Sequence, residues 1–189
     1  MSDGAPRPES ICLYCGSSNR ADPRYLAAAA EFGKALANAG VRLVYGGGGI
    51  GLMGAAARAA HAAGGRVLGV MPEFLRLEEV LFDEVETVVV HSMHERKMIM
   101  FQQSDAFVVL PGGVGTLEEI VELLSWQRLG LHDKPVVFAN LDGFWNPLFE
   151  LFEHTIEANL TPAAFRKAWV AVNSVSEILP ALGHSQAAE

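Results

Sequence analysis

The stretch Ala106-Phe107-Val108-Val109-Leu110-Pro111-Gly112-Gly113-Val114-Gly115-Thr116-Leu117-Glu118-Glu119 decides the fold. Its first five residues form an unbroken apolar run, the mark of a strand buried on both faces. After Thr116 the apolar residues recur as Leu117, Ile120, Val121, Leu123 and Leu124, a helical spacing. A glycine-rich turn therefore joins a buried strand to a helix N-terminus. Glycine permits φ > 0 and lets a ligand come close to the backbone. The helix start offers unpaired N–H groups and a dipole that favours an anion, so the turn suits a phosphate. Thr116 adds a hydroxyl, and Glu119 follows within one helical turn. Thr116-x-x-Glu119 is also the spacing of a capping box, whose side chains satisfy helix-end N–H groups without any ligand.

Working outward, the strand–helix alternation repeats along the whole chain. Further strands are expected at residues 11–15, 41–45, 66–71, 85–90, 136–139 and 169–172. Asp22-Pro23 opens an alanine-rich helix to about Asn38, with Asp at the cap and Pro in the first turn. Other helices are expected to end near Ala63, to span 91–101, to carry Phe144, Trp145, Leu148, Phe149 and Phe152, and to span 174–182. Residues 73–84 are acidic and irregular, a short helix and loop. The pattern predicts an α/β, Rossmann-like three-layer fold, with a mostly parallel sheet of about seven strands and helices on both faces. It reads as a single nucleotide-binding domain over 10–183, with disordered tails at 1–9 and 184–189. Ligands of such sheets bind at the carboxyl ends of the strands.

The 189 residues carry a formal charge of −8, which argues against a nucleic-acid partner because phosphate-backbone binding needs a basic face. A small phosphorylated ligand needs only local donors. No apolar run reaches the ~18 residues of a membrane span, and residues 1–9 lack a signal-peptide core. A cytoplasmic protein is expected. Cys12 and Cys15 fall in a strand pattern, where positions three apart face opposite sides, so core cysteines are expected rather than a redox or metal pair. His91 and His94 lack a third ligand, and no metal site is expected.

Three other stretches bear on chemistry. Gly16-Ser17-Ser18 follows the first strand and faces the same mouth as the central turn. Gly46-Gly47-Gly48-Gly49-Ile50-Gly51-Leu52-Met53-Gly54 lies between a strand and a helix and holds the G-x-G-x-x-G fingerprint twice. That context suits phosphate binding, but the loop follows the second strand and Pro72 precedes the acidic Glu73, which disfavours a dinucleotide. Arg96 and Lys97 lie on the 91–101 helix, where a pair of bases is ordinarily solvated.

Taken together, Tyr45 to Gly54, Met93-His94-Glu95-Arg96-Lys97 and Pro111 to Glu119 resemble the LONELY GUY family of cytokinin-activating phosphoribohydrolases. The resemblance runs from Ile11 to about Leu182 and includes Leu129-Gly130-Leu131-His132-Asp133-Lys134-Pro135 and Asp142-Gly143-Phe144. It implies hydrolysis of the N-glycosidic bond of a nucleoside 5′-monophosphate, releasing adenine or an N6-substituted adenine and ribose 5-phosphate. It implies a homodimer, no cofactor, and a frequent mislabelling as lysine decarboxylase. A pyridoxal enzyme needs a Schiff-base lysine and a partner for the ring nitrogen, and the sequence indicates neither.

The matching positions imply Glu119 as the catalytic carboxylate and Arg96 as its catalytic partner. Arginine is never a general base in proteins, so Arg96 is expected to orient Glu119, phosphate or substrate. Gly112, Gly113, Gly115 and Thr116 are expected to hold the 5′-phosphate. Ser17, Gly47, Gly48 and Met93 line the nucleotide pocket, and Lys97 adds positive potential. Two positions depart from the family: Gly49 stands where many members have serine, and Val114 where many have tyrosine. The same glycine loops would also serve a non-catalytic nucleotide or cofactor carrier, or a dinucleotide-dependent oxidoreductase.

Overall fold

The computed structural model describes residues 7–184. Strands and helices alternate as β1 (Ser10–Tyr14), α1 (Pro23–Asn38), β2 (Arg42–Tyr45), α2 (Gly51–Ala62), β3 (Val67–Pro72), β4 (Glu86–Val90), α3 (Met93–Gln102), β5 (Ala106–Val109), α4 (Val114–Arg128), β6 (Val136–Ala139), α5 (Asn146–Glu157), β7 (Val170–Val172) and α6 (Ile178–His184). All neighbouring strands pair in parallel, in the order β4-β3-β2-β1-β5-β6-β7. The chain builds outward from β1 in one direction as far as β4, then returns to build β5, β6 and β7 on the other side. The strand order therefore reverses between β1 and β5, where loops leaving the carboxyl ends part and open a crevice.

Each face of the sheet is covered. Ile11, Leu13 and Cys15 point into a core with Phe32, Leu36, Leu52, Ala56 and Ile178 from α1, α2 and α6. Cys12 and Tyr14 point the other way, into a core with Met100, Ile120, Leu124 and Trp145 from the α3, α4 and α5 side. The two cysteines thus lie on opposite faces, as the strand period requires. Burial pushes both thiols well above their usual range. No group of three or more His, Cys, Asp or Glu among the described residues is placed to hold a metal. No helix among them is long and apolar enough to cross a membrane.

The structure moves several expected boundaries. α4 begins at Val114 with Gly113 at its cap, so Thr116 and Glu119 lie inside the helix and the capping box does not form. A box forms instead at Ser174 and Glu177, ahead of a 3₁₀ turn at Val175–Glu177 that splits the expected last helix. Phe144 and Trp145 precede α5, whose start is set by Pro147 in its first turn. Of the expected N-terminal tail, residues 1–6 lie outside the described residues, and Glu9 is tied down. Its N–H donates to Asp105 and its carbonyl accepts from Arg42 N–H, both at 2.9 Å.

α1 and α2 cross closely because Gly33 faces the backbone of Ala56; a Cβ on Gly33 would run into the Ala56 carbonyl. Backbone cannot rotate aside, so overpacking should outweigh any gain in helix propensity. Gly33→Val is expected to cost about 1–3 kcal/mol and to lower Tm by about 2–10 °C. Thermal unfolding checks this, and an unchanged Tm would contradict the close crossing.

Candidate active site

At the crevice between β1 and β5 lies a cavity of about 660 Å³. The loops after the two strands are joined directly, by Gly16 N–H donating to the Pro111 carbonyl at 3.0 Å. Gly113, Gly115 and Thr116 at the start of α4 line the cavity, with Ser17 opposite on the β1 loop. In a helix the first N–H groups lack intrahelical partners. Those of Val114, Gly115 and Thr116 face no protein acceptor among the described residues, and the bonded series begins with Leu117 N–H to the Gly113 carbonyl at 3.0 Å. This is an open, positively polarised helix end. Thr116 is buried against Gly112, where no Cβ could fit.

The other glycine loop is closed. The N–H groups of Gly51, Leu52 and Met53 start α2, and all three are taken. Gly51 donates to Asn19 Oδ1 at 2.9 Å, and Leu52 and Met53 to the Gly16 carbonyl at 3.0 and 3.4 Å. Its glycines serve packing: a Cβ on Gly51 would strike the Ser17 backbone, and one on Gly54 the Gly49 carbonyl. The second copy of the fingerprint thus docks α2 against the β1 loop, and the start of α2 keeps none of its first three N–H groups free for a phosphate. Gly47, with φ +83°, lies against Met71, and Gly48 against Glu79. They back the cavity rather than line it, as does Gly112.

Arg96 is not a solvated base. It is 2% exposed. Its Nε donates to the Val70 carbonyl at 3.1 Å, and its Nη2 to the Gly46 carbonyl at 2.7 Å and to Glu79 Oε2 at 3.0 Å. Among the described residues Nη1 meets only the Met93 sulfur, at 3.9 Å. The guanidinium is thus bolted to the ends of β2 and β3 with one amino group left over. Its carboxylate partner is Glu79 rather than Glu119. Lys97, also buried, does not line the cavity and pairs with Glu118 and, at 3.0 Å, with Glu122. Met93 lines the cavity; His91 and His94 are exposed.

Glu119 projects from α4 into the same cavity and is 6% exposed, with no hydrogen bond to its carboxyl among the described residues. Burial pushes its pKa up to about 7; Arg96 pulls it down, while Glu118 and Glu79 push it up further. Sequence reasoning missed Glu79. It lies among five acids in residues 73–84, and nothing in their spacing marks it. Only the chain path, which brings it under Gly48, does so.

The family described as possible lysine decarboxylases matches residues 53–182. A probable cytokinin riboside 5′-monophosphate phosphoribohydrolase of Oryza sativa subsp. japonica is 43% identical over 179 residues, covering 94% of this chain and 78% of that protein. The chain belongs to the LONELY GUY family. Another probable member, from Arabidopsis thaliana, is 42% identical over 173 residues, covering 91% of this chain and 86% of its own. Among solved structures, the molybdenum cofactor carrier protein of Chlamydomonas reinhardtii superposes on this LONELY GUY chain with a TM-score of 0.70 at 26% identity. It covers 95% of this chain and 98% of that one. The decarboxylase description finds no support in the lysines. Lys34 and Lys167 are exposed, Lys134 donates to the Phe101 and Ser104 carbonyls at 2.7 and 2.8 Å, and Lys97 is paired.

The raised pKa of Glu119 has a sign that stability can test. Its folded pKa, about 7, lies above the usual 4.5, so the fold binds the extra proton between those values and loses stability as pH rises through them. Glu119→Gln removes the buried charge. It should gain on the wild type between pH 4.5 and 7, by up to about 3 kcal/mol at 1.36 kcal/mol per unit. Denaturant unfolding across pH checks this; a gap that does not grow with pH would contradict it.

Proposed function

We propose that the chain hydrolyses the N-glycosidic bond of adenosine 5′-monophosphates, including N6-substituted ones, to free base and ribose 5-phosphate. The observation that carries this reading is the placement of one carboxyl group. Glu119 stands three to five residues beyond the open N–H groups of Val114, Gly115 and Thr116, about 5–8 Å along the helix axis. That is the span from a 5′-phosphate to the anomeric carbon of the same ribose. A phosphate seated on Gly113, Gly115 and Thr116 presents C1′ to the Glu119 carboxyl. The related plant proteins are named for this reaction.

Glycosidic cleavage passes through an oxocarbenium-like state. The C1′–N9 bond breaks with its electron pair going to the base, which takes a proton. Water adds to C1′ and gives a proton to Glu119, which passes it through solvent to the departing base and is regenerated as the carboxylate. An ionised Glu119 is poorly solvated before reaction and gains a cationic partner as charge develops, so its stabilisation is greatest in the transition state. Arg96 keeps its charge throughout and offers Nη1 to the substrate. Ser17 and Met93 border the ribose and base. Gly47, Gly48, Gly112 and Lys97 act indirectly, by shaping the walls and holding Glu118. Val114 is 84% exposed at the mouth of the cavity. The family resemblance supports a homodimer without an organic cofactor, the lack of a signal-peptide pattern in the given sequence supports a cytoplasmic location, and the acidic charge supports the absence of a nucleic-acid partner.

The carrier reading draws on the Chlamydomonas reinhardtii structure, which shares the fold at 26% identity. The relatives at 42–43% identity favour hydrolysis.

Purified protein incubated with AMP and with isopentenyl-AMP should release free base, followed by chromatography. Glu119→Ala should lower the rate at least ~100-fold, and Arg96→Ala by a similar factor. The wild-type kcat should fall as pH drops through about 7, where Glu119 takes up its proton. No base from any adenine nucleotide would overturn the proposal, and nucleotide binding without turnover would establish the carrier.

A further inference from the structure

We infer that Glu79 is a positioning residue: it holds Arg96 beside Glu119 without letting the two pair, and a strained turn holds Glu79 in place. The inference rests on the phosphoribohydrolase reading for its meaning in catalysis, and on geometry alone for the arrangement itself.

The Glu79 side chain is 15% exposed and that of Arg96 3%, and their charged atoms meet at 3.0 Å. Two backbone carbonyls take other donors of the same guanidinium. Arg96 is thereby fixed in orientation. Only Nη1 remains without a strong acceptor, facing the cavity past Met93.

The backbone that delivers Glu79 is constrained. Val80 adopts φ +48°, a conformation that β-branched residues rarely enter. The turn is held by Gly49 N–H, which donates to both the Glu79 and the Val80 carbonyls, at 3.0 and 2.7 Å. Gly47 accepts from Phe82 N–H at 3.2 Å. A Cβ on Gly49 would stand 2.5 Å from the Val80 carbonyl oxygen. This explains the departure from serine at that position: the side chain is omitted so that the 73–84 loop can close down and bring Glu79 to Arg96.

The charges around Glu119 then have a clear order. Arg96 and Lys97 face it from α3, Glu118 stands beside it on α4, Glu79 approaches from the loop, Cys12 and Tyr14 face it from β1, and Cys15 follows at the end of that strand. Lys97 is committed to Glu118 and Glu122. Arg96 is committed to Glu79. Glu119 therefore shares a cation's field without owning its hydrogen bonds.

Titration of Glu119 in wild type and Glu79→Gln tests this. The carboxyl carbons are followed by NMR in protein labelled with ¹³C-glutamate, and the Glu119 signal is assigned by its loss in Glu119→Gln. Removing the Glu79 charge frees Arg96 for Glu119, so the Glu119 midpoint should fall by about one pH unit or more. The acidic limb of kcat against pH should move by the same interval, with Glu79→Asp restoring both toward wild type. An unchanged midpoint in a folded Glu79→Gln overturns the inference. If that variant does not fold, Gly49→Ser, which displaces the Val80 carbonyl, should shift the midpoint the same way, and no shift there overturns it. Should the wild type release no base, the hydrolase reading falls while the NMR comparison still decides the role of Glu79.

Discussion

The candidate site is built on three N–H groups at the start of α4 that meet no protein acceptor among the described residues. Helix ends are normally satisfied by caps, neighbouring carbonyls or water. The two glycine-rich helix starts of this chain show both outcomes. α2 has its first N–H groups taken by Asn19 and the Gly16 carbonyl. α4 is capped by Gly113, which offers no side chain, and its N–H groups face the cavity. The difference follows from topology. α4 leaves β5 at the switch point, where the neighbouring loop is tied back through Gly16 and leaves a crevice. α2 leaves β2, one strand removed, and docks against that same neighbouring loop.

The second constraint is the burial of charge. Arg96 and Glu119 both lie in the wall of one cavity, and neither would be buried by hydrophobic packing alone. Arg96 has its charge compensated by two carbonyls and a carboxylate. Glu119 does not, which raises its pKa and weakens the fold at neutral pH. Stability given up at a group that chemistry can use is the usual signature of a functional site. On the proposed reading, the open helix end and the uncompensated carboxyl one turn further on give the site its directionality, with phosphate at the first and the reacting carbon at the second.

Much of the fold was legible in the sequence because buried parallel strands read as continuous apolar runs and glycine marks the turns between them. The strand count, the layering and the opposite facing of Cys12 and Cys15 all followed from those periods. The shift of the α4 start to Val114 was not legible: Val114 is 84% exposed and carries no periodic signal. The Gly46-to-Gly54 loop misleads for a physical reason, since glycines needed for close packing and glycines needed for a ligand look alike until backbone donors are counted. Glu79 and the closed loop that delivers it depend on contacts between residues about 30 positions apart, which no local pattern encodes. Arg96 was identified by resemblance, but its carboxylate partner became visible only in three dimensions.

The central claim is that α4, not α2, receives the phosphate and thereby sets C1′ before Glu119. A crystal structure of Glu119→Gln with AMP bound tests it most directly. The account predicts phosphate oxygens within hydrogen-bond reach of the Val114, Gly115 and Thr116 N–H groups, with C1′ facing residue 119. A phosphate seated on the loop of residues 46–54, or a ribose turned away from residue 119, would contradict it.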